Sequence, residues 1–211
     1  MGYVWKRFRK WIKKQPTAEE YAEALTRMRA FVHLAIEGYL DLYFGDESGF
    51  SLSPYIPYGW LPVGQQGKIA SRREHIENVL GLLNPLNNHL IRYSAREQQN
   101  INTDFMTKCL DDFAGQLKGL TVLALDNAPW HTSKAFKQNL ERWQEKGLFI
   151  FYLPRYSPHL NLVETLWRKI KYEWLRPGDY NSPSSLKKRL KEIFAEFGSK
   201  FQIEFSMNIY T

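Results

Sequence analysis

Three acidic residues are set apart by where they fall along the chain. Asp46 follows Leu40, Leu42 and Phe44 at a period of two, so it continues one face of a strand and is expected at that strand's end. Asp126 closes the short apolar run TVLAL, and Glu164 lies in the first turn of a helical pattern. In open α/β sheets, ligands gather at the carboxyl ends of strands. Two carboxylates brought together there repel, and they ionise together only with difficulty unless a cation lies between them. An all-oxygen set without Cys or His ligands suits Mg²⁺ or Mn²⁺. The chemistry such a set would serve is phosphodiester cleavage. Two metal ions about 3.5–4 Å apart would activate a water or a 3′-hydroxyl and stabilise the leaving oxygen.

Each residue also has a purely structural use. Asp46 could start the turn at Ser48–Gly49, and Asp126 in DNAP could make an Asx-turn before Pro129. Asn161 and Glu164 have the spacing of a capping box. Taken together, placement at successive element ends favours a shared site. Neighbouring acids fit less well. Asp41 is expected on the opposite strand face, Glu47 points away from Asp46, and Asp111 and Asp112 lie beside a helix face as solvated residues.

The elements that must position these residues follow from periodicity. Thr17 to Glu20 reads as a capping box opening a helix whose apolar positions run from Ala24 to Ala35, ending at Gly38. A strand begins near Tyr39. HIENVLGLL (75–83) and 89–96 read as two more, joined by the turn NPLNN. Phe105, Met106, Cys109, Leu110 and Phe113 mark a helix, and TVLALD a buried strand. A helix capped at Thr132 or Ser133 runs to about Lys146, and LFIFYL (148–153) is a second buried strand. Further helices run from Asn161 to about Leu175 and from Pro183 to Phe197. On the helix from Asn161, the apolar stripe is Leu160, Val163, Trp167, Ile170 and Trp174, with Glu164 on its flank. Hairpin strands followed by β-α-β-α describe an α/β mixed sheet with helices on both faces.

The chain has 211 residues, 44% hydrophobic and 24% charged, which fits one globular domain with short appendages. A single cysteine allows neither an internal disulfide nor a four-thiolate zinc site. No apolar stretch reaches membrane-spanning length and no signal-peptide pattern is present, so the expected setting is the cytoplasm, with no membrane partner. A net charge of +7 favours a polyanionic partner. The first 14 residues carry Lys6, Arg7, Arg9, Lys10, Lys13 and Lys14 interleaved with aromatics, a pattern that suits either an arm along a phosphate backbone or a solvated basic terminus.

The strings LYFGDESGFSLSPYIPYGWLPVG, LALDNAPWHTSKAF and FYLPRYSPHLNLVETLWRKIKYEWL closely resemble the DDE-type transposases of bacterial insertion sequences in the mariner-like superfamily. The motifs D-E-S-G-F, D-N-A-P-x-H and S-P-x-L-N-x-x-E occur in the family's order, and the resemblance extends over nearly the whole chain. It implies a ribonuclease-H-like fold, a mixed five-stranded sheet flanked by helices. On this resemblance, residues 39–211 are the catalytic domain and residues 1–38 a basic arm and linker helix. Asp46 matches the first aspartate and would bridge two Mg²⁺ or Mn²⁺ ions, with Asp126 and Glu164 each binding one. His131 would stand beside the site or fix the following helix start. Asn127 and Asn161 would orient loops and the Glu164 helix. Trp60 falls in the family's aromatic strand, with core packing as its expected role.

Two departures accompany the match. The 37 residues between Asp126 and Glu164 form a slightly longer interval than the group's usual one. Family members also carry helix-turn-helix domains ahead of the catalytic domain, and residues 1–38 have no room for one. The resemblance implies a DNA transposase domain that acts on double-stranded DNA at element ends and target in the nucleoid, as a homodimer on DNA. Phosphate contacts are expected from the basic arm, from Arg168, Lys169 and Lys171, and from the LKKRLK run, which equally fits a solvated helix face. The competing readings are an inactive DNA-binding or interaction remnant of a truncated transposase, and a catalytic subunit whose DNA-reading domain is encoded separately.

Overall fold

The computed structural model describes residues 15–55, 62–69, 71–95, 101–207 and 210. Helix α1 (Ala18–Ile36) opens with the expected capping box. The Thr17 hydroxyl accepts from the Glu20 amide at 3.1 Å, and the Glu20 carboxylate accepts from the Thr17 amide at 2.8 Å. It ends where Gly38 takes a positive φ of 78°.

Five strands follow: β1 (Asp41–Ser51), β2 (His75–Asn84), β3 (His89–Ser94), β4 (Thr121–Leu125) and β5 (Leu148–Tyr152). They form one sheet in the order β3-β2-β1-β4-β5. The β1–β2 and β2–β3 pairs are antiparallel, whereas β1–β4 and β4–β5 are parallel. The β2–β3 hairpin turns at NPLNN, with Asn88 at φ 54°. The Asn88 side chain also clamps Ile203 by two backbone hydrogen bonds of 3.1 Å, tying the C-terminal segment to the turn.

Alternation along the strands divides the core in two. Leu42, Phe44, Val79, Leu83, Val122 and Ala124 pack against α1, α5 (Val163–Lys169) and α6 (Pro183–Ala195). Tyr43, Leu80, Leu82, Leu123 and Leu125 pack against α2 (Thr103–Gln116), α3 (Lys134–Lys137) and α4 (Leu140–Glu145). Helices therefore cover both faces, and Cys109 lies buried in the second layer. Among the described residues, no helix is long and apolar enough to cross a membrane.

Several elements differ from the periodicity reading. The helix expected from Thr132 to Lys146 is broken into α3 and α4. In an unbroken helix Phe136 and Trp143, seven residues apart, would stand about 10 Å apart along the axis. The break brings their rings to a 4.9 Å edge contact in the core. The helix from Asn161 is a 3₁₀ turn at Pro158–Leu160, then α5, then a π-helical turn at Ile170–Trp174. Strand β5 is at the sheet edge, so it is only partly buried. Asp111 and Asp112 are not simply solvated. Asp111 accepts from the Trp143 indole at 2.8 Å and from Arg142 at 2.6 Å, and Asp112 accepts from the Tyr93 hydroxyl at 2.8 Å.

Candidate active site

The site grows out of a mismatch in strand length. The parallel ladder between β1 and β4 spans Asp41–Phe44 against Thr121–Ala124, and then β4 stops. Strand β1 continues seven residues further on β2 alone, with Asp46 opposite Gly81. Asp46 thus lies in mid-strand, not at a strand end. The reason is that β2 keeps pairing with β1 after β4 has turned away. Asp126 is the first residue past β4 and lies on the neighbouring strand, as expected.

The third carboxylate is brought in by packing. A Cβ on Gly81 would fall 2.6 Å from the Trp167 ring, so the bare glycine is what lets this indole lie on the sheet. Trp167 is one turn after Glu164 on α5. Seating it on Gly81 carries Glu164 over the strand that bears Asp46. Asn161 fixes the start of this segment from beneath: its side-chain amide donates to the Gly45 carbonyl at 3.0 Å. Asn161 and Glu164 do not form a capping box: the Asn161 amide nitrogen is held by β1, its Oδ1 accepts no hydrogen bond from a described residue, and α5 begins without a side-chain cap. Asn127 likewise acts on a loop, donating to the Leu153 carbonyl.

Asp46, Asp126 and Glu164 line one cavity of about 410 Å³, together with Asn127 and Asn161. Their electrostatics differ. Asp46 is partly buried and its carboxyl is pushed well up from the ordinary range, first by burial and then by the charges of Glu164, Glu47 and Asp126. Burial also raises Glu164, with Lys171 opposing and Asp126 adding to the rise. At Asp126 burial works upward too, but the His131 hydrogen bond, the Ala128 amide at 2.9 Å and the His131 charge outweigh it and hold the carboxyl below its usual value. The Ala128 contact is the Asx-turn that the DNAP segment allows.

His131 is fully buried. Its Nδ1 donates to Asp126 Oδ1 at 2.8 Å and its Nε2 donates to Glu47 Oε1 at 2.9 Å. Burial favours the neutral ring, yet the two carboxylates raise its pKa to about 9, so both nitrogens carry protons near neutrality. Glu47 also accepts from the Trp130 indole at 3.1 Å, and the Tyr152 hydroxyl donates to the His131 carbonyl at 2.8 Å. Glu47 does point to the opposite sheet face from Asp46, as alternation requires, but it is joined to the site through His131. Sequence reasoning passed over it because nothing local indicates that the loop after β4 tucks its histidine beneath β1.

The basic residues divide. Arg168 is exposed beside Glu164, and Lys169 is occupied by Glu173 at 2.5 Å. Lys171 turns inward. Its ammonium lies 5.0 Å from the Tyr55 ring and 5.5 Å from the Phe50 ring. Burial lowers its pKa while Glu164 and Asp46 pull it back up. In the LKKRLK run, Arg189 is structural, bonded to Glu192 and to the Trp174 carbonyl, and Leu186 and Leu190 are buried. Lys6, Arg7, Arg9, Lys10, Lys13, Lys14 and Trp60 lie outside the described residues.

The donor set fits a hard divalent cation: three carboxylates lining one cavity and no thiolate. The nearby imidazole has both nitrogens committed to carboxylates and is not a ligand. Among the described residues, no three His, Cys, Asp or Glu side chains are already gathered on one ion-sized point. The carboxylates ring the cavity.

The chain thus has an α/β mixed sheet with three carboxylates lining one cavity, and comparison with known proteins gives its family. The DDE superfamily endonuclease family matches residues 41–187, more than half of the chain. The chain belongs to the DDE superfamily endonucleases. Among solved structures it is similar to the Mos1 strand transfer complex, with a TM-score of 0.57 and 19% identity over 94% of this chain and 61% of that one. The Mos1 mariner paired-end complex with Mn gives a TM-score of 0.57 at 16% identity, over 100% of this chain and 62% of that one. The Mos1 transposase catalytic domain with raltegravir and Mn gives 0.54 at 16% identity, over 93% and 90%. The chain thus spans about three-fifths of the Mos1 chains in the two complexes and nearly all of the isolated catalytic domain. The sheet and its helices have the ribonuclease-H-like fold of that domain. No curated protein matches the chain.

Proposed function

We propose that the chain is the catalytic domain of a cut-and-paste DNA transposase of the bacterial insertion-sequence type. It would cleave DNA at an element end and join the freed 3′-hydroxyl to a target. The observation that carries this is the convergence of Asp46, Asp126 and Glu164, from β1, the end of β4 and α5, on one cavity. These three would hold Mg²⁺ or Mn²⁺, with two ions as the expected count. Bound there, the metal supplies Lewis-acid activation of the attacking oxygen and stabilisation of the leaving one.

The chain's own residues supply position and charge. His131, protonated on both nitrogens, fixes Asp126 Oδ1 and leaves Oδ2 without a bond to it. Asn161 holds the α5 start against β1. Arg168 and Lys171 place positive charge beside Glu164 for the phosphates of double-stranded DNA. Residues 39–211 would carry this chemistry, with the basic arm of residues 1–14 along the DNA. A homodimer would hold two element ends together, in the nucleoid. An inactive remnant would have no use for an intact carboxylate set with its Glu47–His131 support.

A supercoiled-plasmid nicking assay with Mg²⁺ or Mn²⁺ tests the reading. Wild type is expected to nick and Asp126→Ala to fall to background. Equal nicking by both, or none by wild type at low salt, rejects the activity. Calorimetry is expected to show Mn²⁺ uptake that weakens in Asp46→Asn, and an unchanged isotherm would place the metal elsewhere.

A further inference from the structure

A second cavity of about 530 Å³ adjoins the first, with Asn161 and Glu164 in the wall between them. Its rim is aromatic and exposed. Tyr55 and Tyr172 are 42% and 47% exposed, their ring centroids 6.1 Å apart and tilted by 59°. Its base is cationic, with Lys171 against the Tyr55 ring at 5.0 Å and Arg168 beside it.

We infer that this cavity is a subsite for one unpaired nucleotide of the strand entering the catalytic cavity. The inference rests on the DNA-processing reading above and adds a strand state to it. Each feature matches one part of a nucleotide. The base stacks on the tyrosine rings, and the phosphate meets Lys171 and Arg168. Within a duplex the base faces are covered by their neighbours, so exposed rings offer nothing to paired DNA beyond surface area. A stacked base therefore selects unpaired DNA, whereas the two cations alone would bind any phosphate chain. Because Glu164 is shared, a nucleotide seated here puts its next phosphodiester at the carboxylates.

Fluorescence anisotropy in EDTA tests this without cleavage. The ligands are a blunt duplex, a duplex with a short single-stranded 3′ overhang, and the same overhang made abasic, all with equal phosphate counts. Wild type is expected to prefer the base-bearing overhang by about tenfold, the equivalent of one stacked base. The preference should vanish with the abasic overhang and in Tyr55→Ala/Tyr172→Ala, and return in Tyr55→Phe/Tyr172→Phe. Equal binding of overhang and blunt DNA by wild type overturns the inference, as does a preference that survives the double alanine change or the abasic overhang. Nicking and overhang preference are separate readouts of wild type, so an absence of nicking with the preference present would remove the transposase activity and leave the subsite standing.

Discussion

On one side of the catalytic cavity Asp126 is held by the Ala128 amide and by a buried imidazolium that Glu47 grips from behind. On the other side the Glu164 carboxylate makes no hydrogen bond to another described residue. Its position comes from Trp167 seated on Gly81 and from Asn161 tied to β1. One carboxylate is pinned by polar contacts at its own oxygens, and the other is carried by packing a full turn away. The difference teaches which side can move. A rotation of the Glu164 side chain disturbs no hydrogen bond among the described residues, whereas moving Asp126 breaks a charged, buried network. If the carboxylates draw together on a cation, Glu164 is the one expected to travel.

The largest way to break this contrast is Trp167→Ala. It removes the packing seat and should cost about 3–5 kcal/mol in urea unfolding, as loss of a buried large aromatic does. Next is His131→Ala, which removes the cation between Glu47 and Asp126 and leaves them only the Trp130 indole and the Ala128 amide. It should cost about 2–3 kcal/mol, below the usual loss for a broken buried pair because Asp126 is half exposed. It should also weaken Mn²⁺ binding by roughly 10–100-fold, which calorimetry would read.

A smaller effect sharpens the same side. The folded pKa of His131 is about 9, against an ordinary 6.5. A group raised on folding lends stability that is complete below the unfolded pKa and lost as pH rises through the folded one. The gap in melting temperature between wild type and His131→Ala should therefore be full below pH 6.5 and shrink as pH passes 9. A constant gap would mean that the ring is neutral. The smallest effect is expected at Glu164→Gln. With no hydrogen bond to lose and one like charge removed from Asp46, stability should stay within about 0.5 kcal/mol, while plasmid nicking is lost. A large destabilisation there would show that Glu164 is pinned after all.

The sequence carried the parts of this picture that depend on local pattern. The Thr17 capping box, the alternation through Leu42 and Phe44, the NPLNN turn and the three carboxylates can all be read from neighbours a few residues away. What it hid depends on contacts between distant segments. Glu47 alternates away from Asp46, and only the tuck of His131 beneath β1, 84 residues on, brings it back. The break between α3 and α4 and the π-helical turn at Ile170–Trp174 are set by what Phe136, Trp143 and Lys171 must reach, which no helical period records. The length of β1 was misjudged for the same reason. Its second half is dictated by β2, not by its own residues.

Gly81 bears on how this protein would tolerate random change. It has no functional group and lines neither cavity, yet any side chain there collides with Trp167 and lifts the helix that carries Glu164. A saturation screen scored on activity should therefore show an intolerant position on β2 as severe as some of the acidic residues, and a survey confined to chemically reactive side chains would overlook it.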